Sequence, residues 1–288
     1  MIRKSRIAHI TAAAMIGCCL AGAAQAQNRG FLNWTPGTFA VNEGRVGLGI
    51  GMAPDYLGSD DMTAIPLPSF AFSIGRIPIQ NNLLGVEIDI RPGFLEPANG
   101  RAFLAYGPIL RYNMGGNDFT QVQDPAVALT TPVAATPEIG GFIEAALPLL
   151  GGSGPPTILT ARFAVLQATQ SFDGASADLT LGMVRPLGRW TLGGGVGASW
   201  ADDKSTRAFF DVSAADQAAS GLPTYTASGG LLTMGASLFA SYAITERWSV
   251  NALAGYTMIM GSAADSPIVT DAGQPQQAFV GLGLNWKF

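Results

Sequence analysis

The chain has 288 residues, 48% apolar and only 12% charged, with a formal net charge of −4 and 37 glycines. A soluble domain carries about a quarter charged residues, so a surface built for water alone is excluded. So is a nucleic-acid partner, which requires a basic face that this acidic chain lacks.

The N-terminus reads as an export signal. Arg3, Lys4 and Arg6 precede an apolar run from Ile10 to Ala24, and Ala24-Gln25-Ala26 is a small-x-small cleavage site before Gln27. Residues 1–26 are therefore expected to be a signal peptide and 27–288 a single membrane domain. A lipoprotein box at Cys18-Cys19 is the weaker alternative. His9, Cys18 and Cys19 are the only histidine and cysteines of the chain. Removing the leader removes all three, and with them disulfides and Cys/His metal sites. No cofactor is expected.

After the leader, no segment approaches the roughly 20 continuous apolar residues of a membrane helix. Alternating segments of about ten residues recur instead, separated by turn residues. The first, Arg45 to Met52, sets Val46, Leu48, Ile50 and Met52 against Gly47, Gly49 and Gly51. Ile65 to Ile74 carries Pro66 and Pro68, which suit a strand start or bulge. A brief strand near Ile77 to Gln80, turning at Asn81-Asn82, leads into Leu84 to Ile90, with Glu87 and Asp89 on the inner parity. Ala102 to Met114 turns Arg111 inward. Ile139 to Leu147 does so for Glu138 and Glu144, Ile158 to Ala168 for Arg162, and Ala177 to Leu187 for Asp178. Trp190 to Trp200, Leu231 to Ile244, Trp248 to Met260 and Ala278 to Phe288 alternate most regularly.

Successive strand side chains point to opposite faces, so each segment has one apolar and one polar side. Only a closed sheet leaves no free edge in lipid. The expected fold is all-β: a transmembrane antiparallel up-and-down barrel of about 12 strands, with 10 as the alternative. Short turns such as Gly188-Arg189 and Glu246-Arg247 face the periplasm, and long loops such as Ala201 to Gly230 face outward. Trp190, Trp248 and Trp286 then form a periplasmic aromatic girdle, and Trp286 with Phe288 ends the chain on the aromatic signal of a closing strand.

Two groups of charged residues follow from this topology. Glu87, Asp89, Arg111, Glu138, Glu144, Arg162 and Asp178 face the lumen, where they are expected to pair and plug it; a cation-preferring pore is the alternative. Arg185, Arg189 and Arg247 mark a basic periplasmic rim suited to an anionic partner, while outer aspartates suit cations among lipopolysaccharide phosphates. Outer-membrane lipid and lipopolysaccharide are the expected surroundings. No catalytic histidine remains after the leader, and no nucleophile elbow, phosphate loop or zinc-protease motif appears, so enzymatic activity is not expected.

Four stretches resemble the MipA/OmpV family of MltA-interacting outer-membrane proteins, in order. They are Val46 to Phe70 (VGLGIGMAPDYLGSDDMTAIPLPSF), Phe209 to Gly230 (FFDVSAADQAASGLPTYTASGG), Trp248 to Val269 with its AADSPIV loop, and the terminal FVGLGLNWKF. The resemblance implies an outer-membrane barrel acting as a scaffold between a lytic murein transglycosylase and a murein synthase. A small-solute channel, or a protein of the envelope-stress or antibiotic response, is the alternative. The matched loops face outward, and Asp55-Tyr56-x-Gly58 and Ser220-Gly221-Leu222 are placed to cap the barrel mouth.

Overall fold

The computed structural model describes residues 44–74, 77–82, 85–90, 93–95, 102–113, 115, 122–149 and 156–288. The expected signal segment 1–26, and Arg76, Arg91 and Arg101, expected from the sequence at the periplasmic end, lie outside these residues. Fourteen strand segments form one sheet that closes on itself, because β14 pairs back onto β1.

In chain order the segments are β1 (Arg45–Pro54), β2 (Met62–Pro66), β3 (Ser69–Ile74), β4 (Ile77–Asn82), β5 (Gly85–Asp89), β6 (Gly93–Leu95) and β7 (Phe103–Asn113). Then follow β8 (Thr136–Leu149), β9 (Thr157–Ala168), β10 (Ala175–Leu187), β11 (Trp190–Ala201), β12 (Gly230–Ala243), β13 (Trp248–Ile259) and β14 (Gln276–Lys287). β2 and β3 both pair with β1, and β5 and β6 both pair with β7, so each couple is one interrupted stave. The wall has twelve staves, all antiparallel, which agrees with the larger of the two expected numbers.

The first interruption has a chemical cause. Pro68 has no N–H to give a ladder. Leu67 just before it still exchanges both backbone bonds with Gly49, at 2.9 and 3.0 Å. The next turn differs by a step from expectation: Asn82 pairs with Gly85, so the chain reverses at residues 83–84 and not at Asn81-Asn82.

The alternation sorts the two faces cleanly. Outward positions are apolar and uncovered, among them Leu48 (65% exposed), Ile50, Phe163, Met183, Val196, Leu238 (70%), Leu282 and Leu284. A band of this kind is stable only against hydrocarbon. Among the described residues no helix is long and apolar enough to cross a membrane. The strands carry the crossing.

The closing contact joins the two ends of the sheet. β1 and β14 pair from Arg45↔Lys287 to Met52↔Val280. Beyond the strand, the Phe288 N–H donates to the Gly44 carbonyl at 2.9 Å.

Candidate functional site

The lumen holds one ion cluster built from five staves. Register sets its base: Arg111 on β7 stands between Glu87 on β5 and Glu138 on β8, and Arg162 on β9 stands opposite Glu144 on β8. The Arg111 Nε donates to Glu87 Oε2 at 3.1 Å and its Nη1 to Asp178 Oδ2 at 3.0 Å, with Glu138 Oε2 at 3.8 Å. Arg162 reaches past two staves. Its Nη2 donates to Glu87 Oε1 and Asp89 Oδ1, both at 2.9 Å, and its Nη1 to Asp89 Oδ2 at 3.1 Å and Glu144 Oε2 at 3.4 Å. The same guanidinium lies 4.4 Å from the Phe142 ring centre.

All seven inner charges named from the sequence meet in this cluster, with Glu87 bridging both arginines. The side chains range from 1% exposed for Asp89 to 13% for Arg162, so water does little of the charge compensation. Charges taken out of water persist only when paired and hydrogen-bonded. Asn113 contributes by donating from Nδ2 to Glu138 Oε1 at 2.8 Å. One acceptor, Asp178 Oδ1, is buried without a hydrogen-bond partner.

The opposite inner wall, β11 to β14 and β1, is nearly free of charge. Many of its inner positions are small, among them Gly193, Gly195, Gly197, Gly235, Ser237, Gly281, Gly283, Gly47 and Gly49. Thr191, Gly193, Ser249, Asn251 and Asn285, near the short turns, are half-exposed, whereas Ser199, Thr233, Thr257 and Gln277 at the far end are buried. Solvent therefore enters from the short-turn end and stops below the long loops. Phe239, Leu253 and Phe279 are large residues on the inner side of this wall, and Phe279 is the most deeply buried of them. It turns inward against Ala53 and Ile65, and a Cβ on Gly255 would lie 2.0 Å from its ring.

The long loops fold into a cap over the outer mouth. Helices Asp203–Phe210 and Ala214–Ser220 lie in the β11–β12 loop. The first is capped by Asp202, which accepts from the Ser205 N–H at 2.7 Å; the second has a capping box between Ser213 and Asp216 and ends on Gly221 at φ 82°. Two apolar cores bind the loops together. Leu57, Phe210, Ala227, Leu232, Ile259 and Val269 make one; Tyr56, Val127, Val212, Leu222, Ile268 and Ala272 make the other. Tyr56 and Leu222, from the two motifs placed at the mouth, thus share a core.

Carboxylates tie the cap by accepting backbone N–H groups. Asp55 Oδ2 accepts from Gln123 and Asp203 Oδ1 from Gly229, each at 2.7 Å. Asp216 Oδ1 accepts from both the Thr131 N–H and its hydroxyl at 2.7 Å. Burial works against the charged form of Asp216, but the bonds from Ser213 and Thr131 outweigh it and hold the carboxyl below its usual range. The Tyr56 hydroxyl donates to the Ala272 carbonyl, and burial, with Asp124 and Asp55 nearby, pushes the phenol up.

The basic rim separates into three different situations. Arg189 is committed to the wall: its guanidinium donates to the Ala243 and Ile244 carbonyls and lies 5.4 Å from the Tyr242 ring. Arg247 stands exposed in the β12–β13 turn. Arg185 is not in a turn at all. It lies inside β10 on the same parity as the exposed Leu181, Met183 and Leu187, facing sideways to the membrane. At the chain end, the Trp286 and Phe288 rings stack at 5.5 Å, and Trp286 pairs with both Val46 and Trp248.

The inward Phe279 and the pairing scheme of the cluster were not expected from the sequence. A signal for the first existed, since Gly255 interrupts an otherwise filled strand.

Comparison with known proteins gives a family match and several similar solved structures. The model of the family described as MltA-interacting protein MipA matches residues 46–288. No curated protein matches the chain. Among solved structures, the NanC porin aligns at 6% identity and a TM-score of 0.47, covering 84% of this chain and 100% of that one. The outer-membrane protein OmpT of Vibrio cholerae aligns at 8% identity and a TM-score of 0.39, covering 85% and 96%. The Pseudomonas putida toluene transporter TodX aligns at 10% identity and a TM-score of 0.38, covering 92% and 94%.

Proposed function

The chain belongs to the MltA-interacting protein MipA family, and on that premise we propose that this outer-membrane barrel is a non-enzymatic scaffold for murein-acting enzymes. The family description names an interaction with MltA, which supports a murein enzyme as the first partner; a murein synthase as the second belongs to the same proposal. One observation carries the reading: the outer mouth is closed by a cap with its own apolar cores, above a lumen whose charges are paired. A barrel so closed acts through its surfaces. The surface that murein enzymes can reach is the short-turn end, where Arg247 stands exposed.

The test is purification of tagged protein from envelopes in mild detergent. A murein hydrolase in stoichiometric yield is expected, with Arg247→Glu weakening its capture; a clean barrel with no companion overturns the scaffold. Export through a cleaved leader is part of the same reading, and the N-terminal residue of the purified protein should be Gln27.

A small-solute channel is the second reading, favoured by the half-exposed glycine wall from β11 to β1. It requires single-channel conductance in planar bilayers. Conductance that rises when the cap loop 202–229 is trimmed would make the cap a gate.

A further inference from the structure

We propose that the outward face of β10 to β12, at its periplasmic end, binds the phosphate headgroup of an anionic phospholipid in the inner leaflet. Arg185 is the phosphate ligand, and Trp190 and Tyr242 flank the lipid. Several observations converge on this patch.

The first is direction. On β10 the inward set Ser176, Asp178 and Thr180 is buried, and the outward set Leu181, Met183 and Leu187 is exposed; Arg185 belongs to the second. The β10–β11 ladder runs without a bulge from Ser176↔Ala201 to Leu187↔Trp190, so parity holds along its whole length. A guanidinium here points into the bilayer edge.

The second is the lack of a protein partner. Arg111 and Arg162 are each held by several carboxylates, and Arg189 by two carbonyls. Among the described residues no carboxylate pairs with Arg185. An arginine on a lipid-facing strand position is disfavoured in proportion to depth, and is tolerated near the interface, where it can reach an anion.

The third is the surroundings. Trp190 pairs with Leu187 on one side and Tyr242 on the other, and its ring lies 4.8 Å from the Tyr242 ring. Arg185 pairs with Leu192, which makes Trp190 its diagonal neighbour. Arg189 holds the tyrosine from behind. Aromatic rings of this kind sit at headgroup level, and guanidinium pairs with phosphate oxygens bidentately. Elsewhere on the girdle, Trp248 and Trp286 are followed inward along their strands by Val250 and Leu284, with no base between. Among the described residues the feature is local to β10 to β12.

The placement also decides against a periplasmic protein as the ligand of Arg185. Such a partner meets the turns, where Arg247 is, and not the flank of the wall. The proposal stands whether or not a murein enzyme docks.

Native mass spectrometry of the folded barrel tests it, with phosphatidylglycerol and phosphatidylcholine as competing probes. Wild type should retain phosphatidylglycerol preferentially. Arg185→Leu should lower that preference about fivefold, the effect of one basic residue beside an anionic surface. Arg185→Lys should keep most of it, and Arg247→Glu should leave it intact. Heat-modifiable migration establishes that each variant is folded. An unchanged preference in Arg185→Leu overturns the site, as does an equal loss in Arg247→Glu. If Arg185→Leu instead releases a co-purifying protein while the lipid ratio holds, the arginine belongs to a protein interface and the lipid assignment fails.

Discussion

The two halves of the barrel wall are held together by different means. From β8 through β14 the strands are 12 to 14 residues long, and the ladder between β10 and β11 runs unbroken from Ser176 to Leu187. In the other half β4 has six residues and β5 five, and β3 meets β4 only from Ala71↔Gln80 to Ile74↔Ile77. In the first half β8, β9 and β10 carry the inner charges Glu138, Glu144, Arg162 and Asp178, whereas the inner positions of β11 to β14 are mostly glycine, serine and threonine. The second half places Glu87 and Asp89 on the five-residue β5 and ties them to Arg111 on β7 and, across the boundary, to Arg162 on β9. Ion pairs fasten the short β5 to the long strands beside it; opposite the cluster, from β11 to β14, long ladders suffice and the inner face is free to be mostly small.

That contrast makes graded predictions. The largest effect should come from Arg162→Met, which takes the guanidinium from the buried Asp89 and Glu144 and leaves Glu87 with that of Arg111. Removing one partner of a buried pair destabilises by about 3–5 kcal/mol. Urea unfolding in detergent, followed by tryptophan fluorescence, should show it. A loss no larger than that of an exposed substitution would mean that the cluster does not fasten the short half.

The long half should respond to volume instead. Gly255→Val pushes a side chain into the space of the Phe279 ring, and overpacking of this kind costs about 1–3 kcal/mol. Phe279→Leu in the same chain should recover much of the loss, which a double-mutant cycle measures.

Smaller again is the cap. Asp216→Ala removes the acceptor for Ser213 and Thr131 and should cost about 1–2 kcal/mol, seen as faster protease nicking of the outer loops with the wall intact. Because the folded carboxyl is held below its ordinary value of 3.8, its contribution is complete above that pH and fades as the pH falls further. Nicking should therefore rise in acid below about pH 4 in wild type, and this rise should be absent in Asp216→Ala. The smallest effect is Lys204→Gln. Its pair with Asp173 at 2.7 Å is exposed on both sides, so unfolding should be unchanged.

Alternation along each strand made the staves, their number and the seven inner charges legible in the chain. It did not reveal that Arg162 meets Glu87 and Asp89. That pairing depends on how far each stave is staggered against the next, and period-two patterning carries no information on stagger. Phe279 was hidden for a related reason: an apolar residue between Ala278 and Val280 reads as part of an outward run, and only a glycine on the adjacent stave makes room for it inside. In the cap, the capping box of Ser213 and Asp216 emerges only from the structure. The contact of Tyr56 with Leu222 joins loops far apart in the chain and was not readable either.

The seam between β1 and β14 has a consequence for biogenesis. Met52 and Val280 are partners across almost the whole polypeptide, so closure waits for both extremities to arrive. Until then the nascent sheet carries two bare margins, each a template for a stranger's strand. Whatever machinery inserts this protein must shelter both margins at once and release them only to each other.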